Sequence, residues 1–449
     1  MFDSIRHPRD RRSVLRSAVA ASLGLSSSSW FAKIAKAAES QGSSQQSSAR
    51  RQCILLWMSG GPSQTDTFDM KPKHANGGEF AETATSIPGM RFSEHLPKLQ
   101  ALAQHLAIVR SINTKEGDHA RATYLMRTGQ RPGSVIPYPT IGSALSKELG
   151  FPDAKLPNYV SVNPMIEINP DAFVPGFLGP KYAAALVKPA NSTPNETPTS
   201  RFAELVVENL QRANGINAVR MDQRQALWKS LQTNFLQEHP HSSVVAQNTV
   251  YDRAIRMMES KEVEAFDLSQ ETDEVRAAYG SGRFGQGCLV ARRLIERGCP
   301  FVEVTLGDGL GWDSHQDNFS IVKRLSSELD AGWGTLMQDL LDRNLLETTT
   351  ILWMGEFGRT PQINSMAGRD HFPNAWSCVF AGGGINGGQV YGKTSDDGTE
   401  VTDQIVSQSD VLATLCAAVG INPATENISD QGRPHKIVEG EPIEALLQG

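Results

Sequence analysis

The sequence predicts an α/β fold, a three-layer αβα sandwich built around a mainly parallel central sheet. Short continuous apolar runs, each stopped by turn residues, recur along the chain, and stretches with helical apolar spacing separate them. A strand covered by helices on both faces reads as an unbroken apolar run instead of an alternating one. Such strands alternating with amphipathic helices are the mark of a parallel sheet sandwiched by helices. The chain's 449 residues, 39% hydrophobic and 20% charged, are enough to bury a large core.

Residues 1–38 read as an address. Asp10-Arg-Arg-Ser-Val-Leu-Arg16 precedes a short apolar stretch, and Ala35-Lys-Ala37 ends it in a small-x-small cleavage pattern. Paired arginines before a modest apolar region predict a twin-arginine export signal and a periplasmic or secreted protein. Residues 39–50 are a polar, low-complexity linker with nothing to bury. The ordered body is expected over 51–449. Its strands fall at 53–58, 106–112, 159–162, 300–306, 348–354 and 377–381. Its helices fall at 200–214, 222–238, 249–268, 284–297, 318–343 and 408–419, with a helical insertion around 200–280.

Composition removes several classes of function. No apolar run approaches the roughly 18–20 residues of a spanning helix, so no integral membrane segment is expected. The formal net charge is −6. Residues 1–37 hold 7 basic and 2 acidic side chains, so without them it becomes −11. That argues against a nucleic-acid partner. The cysteines at 53, 288, 299, 378 and 416 lack metal-type spacing and mostly sit in apolar runs, as buried hydrophobes do.

In parallel sheets the ligand site lies beyond the strand C-termini. Polar and chelating residues crowd there: Asp66 and Asp69 after the first run, Asp118, His119 and Arg121 after the second. Asp308, Asp313 and His315 follow residues 300–306, and Glu356 and Arg359 follow 348–354, with Arg369-Asp370-His371 beyond. This mixture of nitrogen and oxygen donors suits zinc, manganese, iron or a similar divalent ion. Such an ion polarises an ester oxygen or lowers the pKa of water. The same residues have plainer roles open to them, as helix caps and surface groups. Gly387-Gly-Gln-Val-Tyr-Gly-Lys-Thr394 fits a phosphate-loop expression, but an acidic turn follows where that motif needs a helix. His239-Pro-His241 lies in a polar loop.

Trp57-Met-Ser-Gly-Gly-Pro-Ser-Gln-Thr-Asp-Thr-Phe-Asp69, Gly311-Trp-Asp-Ser-His315, Trp353-Met-Gly-Glu-Phe-Gly-Arg-Thr-Pro361 and Gly368-Arg-Asp-His371 together resemble the DUF1501 family, exported bacterial proteins frequent in planctomycetes. That family looks like a remote branch of the alkaline phosphatase–sulfatase superfamily, and the resemblance implies an alkaline-phosphatase-like sandwich. The segment 119–132 is similar to the sulfatase nucleophile box, with His119 where sulfatases carry a modified Cys or Ser. Asp313, His315 and His371 would then supply the Asp/His/His set of one metal site. Glu356-Phe357 stands where superfamily hydrolases have Asp-His, and Asp66 is the nearest substitute for the carboxylate expected after the first strand.

The resulting expectation is an exported, metal-dependent hydrolase of phosphate or sulfate esters acting on an anionic small molecule or polysaccharide. His119, Arg121 and Arg359 are its candidate catalytic residues; Arg121 and Arg359 would hold the anionic ester. Asp313, His315, His371, Glu356 and Asp66 are its candidate metal ligands. With no Ser, Thr or Cys at the nucleophile position, direct attack by water is the simpler route. The alternative is a non-catalytic protein that holds an anionic glycan or a protein partner in the same cleft. A third reading is a structural envelope protein.

Overall fold

In the computed structural model, the central strand β1 (Gln52–Met58) is fully buried, and its side chains divide between two cores. Ile54, Leu56 and Met58 face one hydrophobic cluster while Cys53, Leu55 and Trp57 face the other. An apolar run with no polar alternation is what a strand covered on both faces requires. The structure describes residues 51–151, 153–190, 201–208, 210, 217–238 and 242–448. The export signal, the linker and the His239-Pro-His241 pair lie outside the described residues.

Nine strands form the main sheet. After β1 come β2 (Leu106–Ile112), β3 (Tyr159–Val162), β4 (Ala185–Pro189), β5 (Leu205–Val207), β6 (Phe301–Leu306), β7 (Thr349–Gly355), β8 (Trp376–Gly382) and β9 (Gln389–Tyr391). Their spatial order is β9-β2-β8-β7-β1-β6-β3-β4-β5. Only β8 and β5 run against the rest; the ladders of β1 with β6 and β7, of β3 with β6 and β4, and of β9 with β2 are parallel. The C-termini of β1, β2, β6 and β7 therefore share one edge, and antiparallel β8 begins there.

Helices of eight or more residues cover both faces: α1 (His119–Thr128), α2 (Ile141–Leu149), α3 (Ala218–Glu238), α4 (Ser242–Glu259), α5 (Arg283–Glu296), α6 (Asn318–Leu329), α7 (Thr335–Asp342) and α8 (Gln408–Ala418). Leu289 and Leu294 of α5, Val322 and Leu325 of α6 and Leu336 of α7 pack in the core with Ile54. Met126 of α1, Leu145 of α2 and Leu412 of α8 pack in the core with Trp57. The layers are αβα, as the sequence predicts. No helix among the described residues is long and apolar enough to cross a membrane. All five cysteines are free and buried.

The helix expected over 200–214 is overturned over the described residues 201–208. Leu205–Val207 is an edge strand paired with β4, with Leu205 buried and Val206 exposed. A short β-branched pair at a sheet edge follows its neighbour's ladder, whatever its helical periodicity. The helix expected over 318–343 runs as α6 and α7 joined by a π-helical turn, Asp330–Gly334. The phosphate-loop look-alike also fails structurally. It holds β9 and the short strand Lys393–Thr394, and the Thr394 hydroxyl accepts a hydrogen bond from Lys71 Nζ at 2.6 Å.

Candidate metal centre

His119 opens α1. Asp118 is the N-cap, its side chain accepting from Arg121 N, and Gly129 ends the helix in the left-handed region at φ 72° with its N–H on Leu125 O. The cap fixes where the helix begins and so where the imidazole sits. Asp118→Ala is expected to cost about 1 kcal/mol; chemical denaturation of the purified variant checks it, and no loss would show that packing alone sets the start of α1.

Asp313 is held by its loop. Its N–H donates to Leu310 O at 2.8 Å, and Trp312 N donates to Ser59 O at 3.0 Å. A Cβ at Gly60 would lie 2.6 Å from Asp313 N, so only glycine lets the two post-strand loops approach this closely. His371 arrives on a two-residue ladder, Gly358–Arg359 against His371–Phe372, which places it opposite Arg359.

These loops bring His119, Asp313 and His371 together, with one ligand atom from each lying within 4.8 Å of the others. Asp313 Oδ1 is the hub. It lies 3.2 Å from His371 Nε2, 3.1 Å from His315 Nε2 and 3.4 Å from His119 Nε2, and 2.6 Å from Arg359 Nη2. Each imidazole is oriented from behind. His119 Nδ1 is 2.7 Å from Glu356 Oε1, which also accepts from Gly60 N at 2.8 Å. His371 Nδ1 donates to Gly117 O at 2.7 Å, and because a carbonyl only accepts, the proton of the neutral ring sits on Nδ1 and Nε2 keeps its lone pair. His315 Nδ1 is 2.7 Å from Asp370 Oδ1, and its Nε2 is 3.0 Å from His371 Nε2.

The electrostatics follow from this crowding. Burial alone would depress His119, but the carboxylates of Asp313 and Glu356 outweigh it and push its pKa up to about 9. Burial works against ionisation of Asp313, yet the neighbouring imidazoles of His119 and His371 and the charge of Arg359 hold its carboxyl well below the usual carboxylate range. Burial pulls the Arg359 guanidinium down, and Asp313 opposes that pull.

The donor set fits a divalent ion. Ligand atoms around a four-coordinate zinc, with bonds of about 2.1 Å, sit roughly 3.4 Å apart, and the histidine contacts of Asp313 Oδ1 at 3.1–3.4 Å have that spacing. Two further atoms are buried with no hydrogen-bond partner, His119 Nε2 and Glu356 Oε2. Buried polar atoms are normally paired, so an orphaned nitrogen pointing at a carboxylate hub is the signature expected of a ligand position. Zinc, manganese and iron all accept such donors.

Other residues expected at the site lie elsewhere or do something else. Asp66 does not join the cluster. Its carboxylate is fully buried against Arg369, with Nε on Oδ2 at 2.7 Å and Nη2 on Oδ1 at 2.9 Å, and Asn318 Nδ2 adds 2.8 Å. An acceptor already satisfied by a guanidinium and an amide has no reason to take a metal. Arg121 is 56% exposed and pairs with Glu116 at 2.9 Å. Arg359 is fully buried, donating to Gly60 O, to Gly61 O at 3.0 Å and to Asp313, so it positions the hub carboxylate and is not free to clamp a substrate. Glu356 backs His119, and His315 stands at the exposed side of the hub.

Two participants escaped the sequence reading. Gly117 O and Gly60 N are backbone groups, which leave no mark in side-chain patterns. Phe357, the residue next to Glu356 in the sequence, packs its ring 4.8 Å from His119 and 4.7 Å from His371, an apolar wall beside the two imidazoles.

No curated relative matches the chain in sequence. Solved structures similar to it include a sulfatase from Pseudoalteromonas sp. (12% identity, 87% of this chain and 71% of that one, TM-score 0.40). A protein in the alkaline phosphatase superfamily from Vibrio parahaemolyticus is similar at 11% identity, covering 83% of this chain and 67% of that one, TM-score 0.37. The lipoteichoic acid synthase LtaP from Listeria monocytogenes is similar at 10% identity, covering 83% and 72%, TM-score 0.38. The family described as a protein of unknown function (DUF1501) matches residues 50–447, which spans all the elements above, and the chain belongs to that family.

Proposed function

We propose that the protein is an exported, metal-dependent hydrolase of phosphate or sulfate esters. The observation that carries this reading is the convergence of His119, Asp313 and His371 at one sheet edge, with two buried side-chain atoms left unpartnered beside them. Those three residues would hold the ion, which supplies Lewis acidity toward an ester oxygen and lowers the pKa of water.

The chain's own groups do the rest. Glu356 and Gly117 O fix the two imidazoles from behind, the arrangement that orients metal-binding histidines and raises their basicity. Arg359 keeps Asp313 ionised and in place. His315, 41% exposed and hydrogen-bonded to Asp370, is placed to carry a proton at Nε2 between the hub and solvent. Phe357 excludes water from one side of the pair His119–His371.

The second reading, a non-catalytic protein holding an anionic glycan or protein partner, has its own support. Position 119 offers an imidazole in place of a hydroxyl or thiol, and the buried Arg359, held by Asp313 and Gly61 O, is not free to clamp an ester.

The protein, purified without chelators or metal-affinity resin, is expected to contain about one equivalent of a transition metal by mass spectrometry. A folded His371→Ala variant is expected to lose at least tenfold in metal occupancy and to lose hydrolysis of nitrophenyl phosphate or sulfate. A wild type that stays metal-free after incubation with Zn²⁺, Mn²⁺ and Fe²⁺ would overturn the hydrolase reading.

A further inference from the structure

On the β3 side of the same sheet edge lies a cavity of about 450 Å³, well within the size range of small-molecule sites. It is lined by the C-terminal end of β6 with Asp308, by Asn163 after β3, and by Arg201, Arg283, Arg324 and Glu328. Three guanidiniums and two carboxylates line it, and a third carboxylate, Asp273, pairs with Arg201.

The arginines are paired, but weakly. Arg283 Nη1 is 3.0 Å from Asp308 Oδ2, Arg324 Nη1 is 3.1 Å from Glu328 Oε1, and Arg201 Nη1 is 3.3 Å from Asp273 Oδ2. The arginine side chains are 40–69% exposed. Exposed pairs of this kind are worth roughly 0–1 kcal/mol, so each guanidinium can exchange its carboxylate for an incoming oxyanion at little cost. Arg283 also opens the 14-residue helix α5, whose N-cap Gly282 makes no side-chain cap bond. The first-turn amides of α5 add positive potential on the same wall.

One loop serves both the cavity and the metal centre. Gly307, Asp308 and Gly311 line the cavity, and Asp313 follows Gly311 by two residues, a span of at most about 7 Å. The cavity wall and the hub carboxylate are thus carried by one short loop, residues 307–313.

We infer that the cavity is an oxyanion subsite that holds a second sulfate or phosphate group of a polyanionic glycan, resting on the proposal that the first such group is hydrolysed at the Asp313 hub. A monoester would need only the hub; a second cavity lined by three exchangeable guanidiniums and joined to the hub by one loop suits a substrate with repeated anionic groups. A nucleic acid fits less well. Phe202 and Phe284 of the cavity wall are 6% and 2% exposed, which leaves no ring face on which a base can stack.

The test is calorimetric titration of the full-length protein with a heparin-derived hexasaccharide at low salt. Wild type is expected to bind, and Arg283→Gln/Arg324→Gln to bind at least tenfold more weakly with unchanged thermal stability and metal content. Arg91→Gln/Lys436→Gln removes the same charge from exposed ion pairs elsewhere and is expected to bind as wild type does. Absence of wild-type binding, or equal losses in both double variants, overturns the subsite. A single-stranded oligonucleotide bound as tightly as the hexasaccharide, with the same arginine dependence, overturns its assignment to a glycan. Failure of the hydrolase reading is seen separately, as a metal-free wild type that turns over no nitrophenyl ester while hexasaccharide binding persists.

Discussion

Glu303→Ala is expected to lower the stability of the folded chain by about 3–5 kcal/mol, the usual cost of leaving one member of a buried ion pair behind. Glu303 is fully buried in β6. Arg127 Nη1 donates to its Oε1 at 2.8 Å and Nη2 to its Oε2 at 2.7 Å, while Tyr159 OH adds a bond to Oε2 at 2.7 Å. The guanidinium lies over Phe173 at 4.0 Å and donates from Nε to Ala172 O at 2.7 Å. Removing the carboxylate strands a cation among aromatic rings with no water to replace it. Replacing both partners by apolar residues of similar volume, Arg127→Met/Glu303→Leu, is expected to recover most of the loss. Urea denaturation of the three proteins checks both statements, and a loss below 1 kcal/mol for Glu303→Ala sinks the first. The pair also bears on the site. Arg127 belongs to α1, which His119 opens, and Glu303 belongs to β6, which leads to Asp313. It therefore ties the two ligand-bearing elements to one another, and Glu303→Ala should weaken metal binding without touching a ligand.

The central strands are legible because full burial imposes one composition. The runs read at 106–112 and 159–162 coincide with β2 and β3, and those read for β1, β6, β7 and β8 end within a residue or so of the observed strands. Edge strands lack that constraint. β4 is half-buried at four of its five positions, and β5 and β9 have three residues each, too few for any period to show. The site is legible in the same partial way. Strand-end position marks His119, Asp313 and His371 as candidates, because topology alone sends those loops to one edge. Partners are not legible. Asp66 looks like a free carboxylate until Arg369, 303 residues away, is seen to saturate it. Arg359 looks like a substrate clamp until its burial is known. Such pairings are fixed by long-range packing and leave no local trace.

In the metal-free chain, stability is expected to fall by about 3 kcal/mol as the pH rises from 6.5 to above 9, through His119 alone. Its folded pKa of about 9 stands above the ordinary value of 6.5, and each pH unit of displacement is worth about 1.36 kcal/mol. The sign follows from proton linkage. The folded state holds the proton more tightly, so the contribution is complete below about 6.5 and disappears as the pH passes through about 9. The side chain is 13% exposed, so solvent screens little of the effect. Urea titrations across this range isolate the term as the difference between wild type and His119→Gln. Glu356→Gln should shrink it, because the charge that faces Nδ1 at 2.7 Å is gone. Zinc should reverse the trend. An ion bound at Nε2 takes the place of a proton, so zinc affinity rises over the window in which the metal-free protein weakens. Profiles of wild type and His119→Gln that run parallel from pH 6.5 to 9.5 would show that Asp313 and Glu356 do not hold a proton on His119. The imidazole would then titrate as an ordinary one and stand neutral, ready for an ion, over most of the range tested.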